Sequence, residues 1–303
     1  MKLKGFLAKN YDSWVDKIVR AMIYAILFMI VLVVILPIMH IISCSFSSAD
    51  DIIAGKVTIF PVSFTLDSYR AIFNHQDLIM GFLNSLFYAT LGPVISVAMT
   101  IALGYPLSKE DMPGKGIILR IMMVTMLFSG GMIPTYLVSK SVGLTNNRFG
   151  FLFLAGALSV YNVFVARTFF KNSIDQSIYD SAEVDGASAM RCLVSIVLPL
   201  SKAVIAVLLL WEIVGYWNNY QNALIYLTDR NLQPLQIIIR EIMEMNSVNP
   251  DMIKDSRDYQ ELRNLQVTLK YATIVVSSIP LMIIYPFVQK HFVKGVMLGS
   301  VKG

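Results

Sequence analysis

The chain has 303 residues, of which 56% are apolar and 15% charged, and its formal net charge is +5. Average soluble domains contain about 45–50% apolar and about 25% charged residues, so this composition argues against a soluble globular protein. Three histidines and two cysteines lack the spacing of a metal site, and Pro113-Gly114-Lys115-Gly116 is too short for a phosphate-binding loop. We therefore predict no catalytic residue, no metal ligand, no cofactor in this chain and no nucleic-acid partner.

Six segments are long and apolar enough to cross a bilayer, which requires about 20 apolar residues per helix. Their approximate cores are 21–39, 82–104, 117–138, 150–167, 193–215 and 271–289. The second and third are the clearest, because 78–108 contains no charged residue and 116–139 contains only Arg120. The sequence therefore predicts an all-α polytopic membrane protein with about six transmembrane helices, in one transmembrane domain over 1–303 whose core is about 78–290.

The distribution of lysine and arginine predicts the orientation of these helices. Positive residues are concentrated in both tails and in the loops after the second and fourth predicted helices. The short loop 139–149, on the opposite side, contains two positive residues. Loops rich in lysine and arginine remain on the cytoplasmic side. We therefore predict a multi-pass protein of the cell membrane whose N- and C-termini are cytoplasmic. The long connections at about 45–80 and 219–267 are predicted to be extracytoplasmic.

The polar loop at about 172–193 differs from an ordinary connection. From residue 179 onward it contains three carboxylates, and Gly186 can take backbone angles that interrupt a helix. Asp175 or Ser177 can cap a first short helix, and Asp185 or Ser188 a second. The pattern predicts two short helices, the second rigidly continuous with the fifth transmembrane helix, and a small-residue face at Ser181 and Ala182 that a partner can approach. A merely solvated amphipathic loop is the alternative.

The order of residues in this loop resembles the coupling loop of ABC-importer permeases, whose usual form is Glu-Ala-Ala-x-x-Asp-Gly-Ala. Here Asp180 and Ser181 stand where the family has Glu and Ala, and Ile-Val-Leu-Pro follows at 196–199. Glu183 can compensate for the shorter Asp180 side chain. The resemblance implies that residues 179–199 couple this chain to a separate ATPase subunit through Asp180, Ser181, Ala182, Glu183, Asp185, Gly186, Ala187 and Pro199.

Further motifs extend the resemblance over nearly the whole chain: Asn-Ser-Leu at 84–86, Tyr-Pro-Leu-Ser at 105–108, Gly-Met-Ile-Pro-Thr-Tyr at 131–136, Trp-Asn at 217–218 and the ending 292–303. They are similar to carbohydrate-importer permeases, closest to the lipoprotein-associated subgroup for polysaccharide-derived oligosaccharides. The resemblance implies the type I ABC importer permease fold and an oligosaccharide substrate. It also implies a complex with a second, different permease, two ATPase subunits that bind ATP and Mg²⁺, and an extracytoplasmic solute-binding protein.

A polar and aromatic cluster near the outer end of the fifth predicted helix is the candidate substrate path. Intramembrane carboxylates are costly, so Glu212 is expected to face a water-filled cavity or a partner. Trp217 offers an apolar face for a sugar ring, and Asn218 and Asn222, four residues apart on one predicted helical face, offer amides. Tyr216 completes the set. The alternative is that the aromatic residues anchor the protein at the membrane interface.

Other functions remain open at this stage: an ABC importer of a non-sugar solute, or a passive channel, which would need no coupling loop. The segment 232–245 is predicted to form an amphipathic helix outside the membrane, able to cover a cavity mouth or to meet the binding protein.

Overall fold

The structure is a computed structural model that describes residues 14–245, 264, 267 and 269–286. The N-terminal tail, the segment 246–263 and the ending 292–303 used in the resemblance lie outside the described residues. The described residues form helices and no strand. The helices are α1 (Trp14–Ser45), α2 (Ala49–Ile53), α3 (Asp67–Asn74), α4 (Gln76–Ser108), α5 (Lys115–Leu127), α6 (Met132–Ser141), α7 (Arg148–Leu154), α8 (Val160–Asn172), α9 (Gln176–Val184), α10 (Ala189–Cys192), α11 (Leu198–Leu200), α12 (Lys202–Trp217), α13 (Gln221–Tyr226), α14 (Leu235–Met245) and α15 (Leu269–Pro286).

Three described helices, α1, α4 and α15, are each long and apolar enough to cross a membrane. Two more spans result if α5 with α6, bent by 116°, and Ala189–Leu200 with α12, bent by 81°, each count as one. The fourth predicted core, 150–167, is not one helix, because α7 ends at Leu154 and α8 begins at Val160. By length and composition, the described residues thus provide up to five spans.

Local sequence explains why the fourth predicted helix is broken. Gly156 has φ +133°, a backbone conformation that favours glycine, and it lies directly between the two short helices. Ser159 then starts α8, because its hydroxyl accepts a hydrogen bond from the Asn162 N–H at 3.4 Å. Hydropathy alone does not detect such a break, since the residues around it are still apolar.

The described residues divide into two compact units, one of residues 14–72 with 264, 267 and 269–275 and one of residues 73–245 with 276–286. In the first unit, the last turns of α1 are held by serine hydroxyls. Ser43 donates to the Ile59 carbonyl at 2.5 Å, and Ser47 accepts from the Val62 N–H at 3.0 Å. The rest of α1 exposes apolar side chains along most of its length, which suits a helix surrounded by lipid.

In the second unit, α4 packs against α8, α12 and α14. Three glycines of α4 allow this close packing, because a Cβ atom at Gly81 would overlap Ile238 of α14 and one at Gly92 would overlap the Tyr216 ring of α12. A Cβ atom at Gly104 would lie 3.2 Å from the Ala166 Cβ of α8. Small residues at helix crossings are the usual means by which membrane helices approach closely.

Replacing Gly92 with alanine is expected to destabilise the protein, since the new methyl group has no space beside Tyr216. Overpacking of this kind costs about 1–3 kcal/mol. Gly215→Ala is the matched control, because a Cβ atom there meets no heavy atom within 4 Å. Thermal melting of the detergent-solubilised protein should show a lower midpoint for Gly92→Ala than for Gly215→Ala; equal midpoints would contradict the packing described here.

Candidate functional site

The loop between α8 and α12 contains two short helices whose ends are capped. The Asp175 carboxylate accepts from the Ser177 N–H at 3.0 Å and starts α9. At the other end the Gly186 N–H bonds the Glu183 carbonyl at 3.0 Å, and the Ala187 N–H bonds the Ala182 carbonyl at 2.9 Å. Together with φ +70° at Gly186, these two bonds form a Schellman motif. The predicted helix, break and restart are therefore present.

A further cap begins the second short helix, since the Ser188 hydroxyl accepts from the Arg191 N–H at 3.3 Å. After α10 the helix widens into a π-helical turn over Leu193–Val197. Pro199 has no N–H to donate, and the chain then bends by 81° at Ser201 before α12. The prediction that the loop helix is rigidly continuous with the fifth transmembrane helix is therefore wrong. A proline placed near that junction is the sequence feature that accounts for the bend.

The loop has one buried and one exposed face. Tyr179 and Ala182 are 8% and 7% exposed and belong to a core that includes Tyr105 of α4, Phe170 of α8 and Leu208 of α12. The small-residue docking face predicted from Ser181 and Ala182 is thus only half correct, because Ala182 points into this core. The exposed members of the predicted docking set are Asp180, Ser181, Glu183, Asp185, Gly186 and Pro199, with Ala187 partly exposed.

A cleft of about 730 Å³ lies between this loop and the C-terminal end of α4. Lys109, the residue directly after α4, places its Nζ 3.2 Å from the centre of the Tyr179 ring and 5.3 Å from that of Tyr105. Burial raises the pKa of Tyr179 to about 12 and lowers the pKa of Lys109. At the rim, Lys171 forms an ion pair with Glu110 at 3.1 Å. Sequence reasoning missed Lys109, although it directly follows the Tyr-Pro-Leu-Ser motif.

Three members of the candidate substrate path are buried. Glu212 is 9% exposed and accepts from the Asn162 side-chain amide of α8 at 2.5 Å. The Tyr216 hydroxyl donates to the Leu152 carbonyl at 2.5 Å. Trp217 is 2% exposed and donates from Nε1 to the Ser277 carbonyl at 3.0 Å. In this structure the carboxylate and both aromatic side chains are therefore interhelical contacts, and neither ring presents the free face that sugar stacking requires.

The two predicted amides also differ in placement. Helix α12 ends at Trp217 and α13 begins at Gln221, so Asn218 and Asn222 do not share one helical face as predicted. Asn218 is exposed, and its side chain donates to the Val214 carbonyl at 3.0 Å. Asn222, in the first turn of α13, is partly exposed, and its backbone N–H donates to the Asn219 side-chain oxygen at 3.3 Å. Among the predicted path residues, these two amides are the accessible ones.

At the opposite end of α4 from the loop, α14 forms most of the helix predicted over 232–245, beginning at Leu235. Its buried face includes Leu235, Ile237, Ile238 and Ile242. Asn84 of α4, 2% exposed, donates to the Asn231 carbonyl at 2.8 Å and to the Gln233 carbonyl at 3.0 Å, and it accepts from Arg148 at 2.8 Å. Arg230 adds an ion pair with Asp77 at 3.0 Å. The Asn-Ser-Leu motif at 84–86 therefore holds the segment before α14 against α4.

These features define a class: a helical, polytopic membrane protein in which a capped, carboxylate-rich loop is packed against the spanning helices. No family model matches the chain. The permease protein YtcP of a polygalacturonan/rhamnogalacturonan transport system in Bacillus subtilis (strain 168) is 37% identical over 289 residues, 95% of this chain and 99% of YtcP. Protein LplC of the same organism is 35% identical over 274 residues, 89% of this chain and 90% of LplC.

Solved structures agree with these relatives. A bacterial ABC transporter involved in the import of the acidic polysaccharide alginate contains a chain with a TM-score of 0.84 and 30% identity, covering 92% of this chain and 98% of that one. A chain of the alginate ABC transporter in complex with alginate pentasaccharide-bound periplasmic protein has a TM-score of 0.58 at 16% identity, which supports the fold alone. The chain belongs to the family of oligosaccharide ABC-importer permeases, as the sequence motifs indicated. It is a transport subunit and not an enzyme.

The Asn162–Glu212 hydrogen bond generates a stability prediction. Glu212→Gln keeps an oxygen that can accept from Asn162, whereas Glu212→Leu leaves the buried amide unsatisfied, which costs about 1–3 kcal/mol. We expect the Leu variant to melt at a lower temperature than the Gln variant in detergent. Adding Asn162→Leu should then restore part of the loss, because both polar partners are removed. A Glu212→Leu variant as stable as Glu212→Gln would show that this contact is not formed.

Proposed function

We propose that this chain is one of two different permeases in an importer that also contains two ATPase subunits and an extracytoplasmic solute-binding protein. The ATPase subunits bind ATP and Mg²⁺, and this chain supplies half of the translocation path. It forms one permease domain over 1–303 with its core at about 78–290. Both termini and the loop 172–193 are cytoplasmic, and the connections at about 45–80 and 219–267 are extracytoplasmic. The family membership supports this assembly, and the lysine and arginine distribution supports the orientation.

The two-faced loop is the observation that carries the coupling role. Its exposed face presents Asp180, Glu183 and Asp185, while Tyr179 and Ala182 on the other face belong to a core shared with α4, α8 and α12. A partner that displaces the exposed face must therefore also displace the packed face. A solvated connection would not need to be packed in this way, and a passive channel would have no use for it.

For the substrate, we propose an oligosaccharide that contains uronic acid residues. Two relatives support this class, since YtcP belongs to a polygalacturonan/rhamnogalacturonan transport system and the structurally similar transporter imports the acidic polysaccharide alginate. Within the path, the exposed Asn218 and Asn222 amides are the proposed sugar contacts, because an amide both donates to and accepts from hydroxyl groups. Glu212, Tyr216 and Trp217 hold the helices that carry these amides.

Substitution of Gly186 tests the coupling role. Its φ of +70° costs an L-residue about 1–2 kcal/mol, more for a β-branched side chain and less for asparagine, while no heavy atom lies within 4 Å of an added Cβ. We therefore expect Gly186→Val to reduce ATP-dependent uptake of oligogalacturonate strongly and Gly186→Asn to retain most of it, at equal abundance in the membrane. Uptake is measured in cells expressing the complete importer. Normal uptake by a well-expressed Gly186→Val variant would count against docking through this loop.

Accessibility of position 218 tests the path. The two states of a transporter differ in ligand affinity, so ATP and the loaded binding protein are expected to favour an outward-facing cavity. Asn218→Cys, in a background without the buried Cys44 and Cys192, should react faster with a membrane-impermeant thiol reagent when the ATP-bound state is trapped. Ser141→Cys, exposed at the end of α6, is the control for general access. If the labelling rate at position 218 is the same with and without bound nucleotide, this position does not belong to the path.

A further inference from the structure

The end of α4 and the loop helix α9 meet through a lysine and a tyrosine that neither the coupling pattern nor the substrate path includes. Lys109 directly follows α4 and is half-buried, and its ammonium group lies 3.2 Å from the centre of the Tyr179 ring. Tyr105, one turn earlier on α4, contributes a second ring at 5.3 Å. An ammonium group within about 6 Å of an aromatic centre is attracted by the ring, more strongly when water is excluded. Both rings are buried, at 8% and 6% exposed.

The ring is the principal close partner that the structure gives to the Lys109 ammonium. Burial lowers the pKa of Lys109, and this outweighs the opposite effect of the nearby Cys192, Asp111, Glu183 and Asp180. Among the described residues, however, no carboxylate forms an ion pair with Lys109 at 4.0 Å or less. The contact therefore joins the Lys109 ammonium, at the end of α4, to the face of the Tyr179 ring on α9.

Tyr179 is the point at which three helices meet. Its ring faces Lys109 at the end of α4, and its hydroxyl donates to the Phe170 carbonyl of α8 at 3.4 Å. The last turns of α4 and α8 are joined independently, because Arg167 donates to the Leu107 carbonyl at 3.0 Å and Gly104 packs against Ala166. Displacement of α9 would thus pull on a joined pair of helices.

We propose that Lys109 is a positioning residue that fastens α9 to α4 through the Tyr179 ring, so that movement of the loop is passed to α4 as well as to α12. This inference rests on the proposed coupling role of the loop. It adds a second route into the helix bundle, which matters because the direct route bends by 81° at Ser201. Helix α4 extends from this contact to the end that holds the segment before α14.

The experiment compares transport and ATP hydrolysis in the complete importer reconstituted in liposomes. Lys109→Met removes the charge and keeps an unbranched side chain, and Tyr179→Leu removes the ring and keeps an apolar core residue. Each should lower the number of oligosaccharides transported per ATP hydrolysed by about threefold or more. Lys109→Arg keeps a cation and Tyr179→Phe keeps the ring, so both should stay close to the parent ratio.

Two further measurements separate this role from general damage. Lys171→Met removes a positive charge from the same cleft, but its ion pair with Glu110 is exposed and such pairs contribute little, so its ratio should equal the parent's. The double variant Lys109→Met with Tyr179→Leu should be no worse than the worse single variant if the two residues act through each other. Assembly is checked by the amount of ATPase subunit that copurifies.

The outcomes are distinguishable. If the parent importer shows no ATP-dependent transport, the proposed function fails, and this inference fails with it. If the parent is active and Lys109→Met keeps its transport-to-ATP ratio, the proposed function stands and the positioning role is overturned. Loss of the ratio in Lys109→Arg and Tyr179→Phe to the same extent as in Lys109→Met and Tyr179→Leu would also overturn it, because the contact survives in the conservative variants. Additive losses in the double variant would do the same.

Discussion

The second unit of this protein depends on the close approach of helices to α4. Gly81, Gly92 and Gly104 each face a different neighbour, and at the first two positions no Cβ atom can be accommodated without a shift. Lipid tails are as apolar as leucine, so burial of apolar surface does little to choose helix partners in a membrane; close packing and polar contacts do. The glycine positions therefore determine where α14, α12 and α8 cross α4, and they make α4 the helix that both ends of the unit share.

Polar contacts at these crossings make the arrangement specific. Asn162 with Glu212 links the two helices that flank the loop, and Asn84 holds the segment before α14 by two donated hydrogen bonds. Each of these buried groups would be costly without its partner, so sliding one helix along another would break a contact that nothing nearby replaces. The side chains that looked like substrate contacts thus contribute to the framework, and the exposed Asn218 amide remains beside it.

The sequence was sufficient for the helical class and the capped loop, because these depend on local signals: apolar run length, cap residues and a glycine at the helix end. The family followed from the resemblance of its motifs. It was insufficient wherever a neighbour decides the outcome. Periodicity cannot show whether Ala182 is small so that a partner can approach or so that it fits a core, and hydropathy cannot distinguish a carboxylate lining a path from Glu212 bonded to Asn162. Likewise, Lys109 becomes informative only once Tyr179 is known to lie over it.

The bend at Ser201 has a mechanical consequence for any force applied to the loop. Across a junction of 81°, motion along the loop helix projects only weakly onto the axis of α12, and Pro199 removes one of the backbone hydrogen bonds that would stiffen it. Side-chain contacts from the buried face of the loop do not share this weakness, because Tyr179 and Ala182 lie directly against the ends of α4 and α8. Under the proposed coupling role, we therefore expect the packed face of the loop to move together with these helix ends, and α12 to change its angle at the bend.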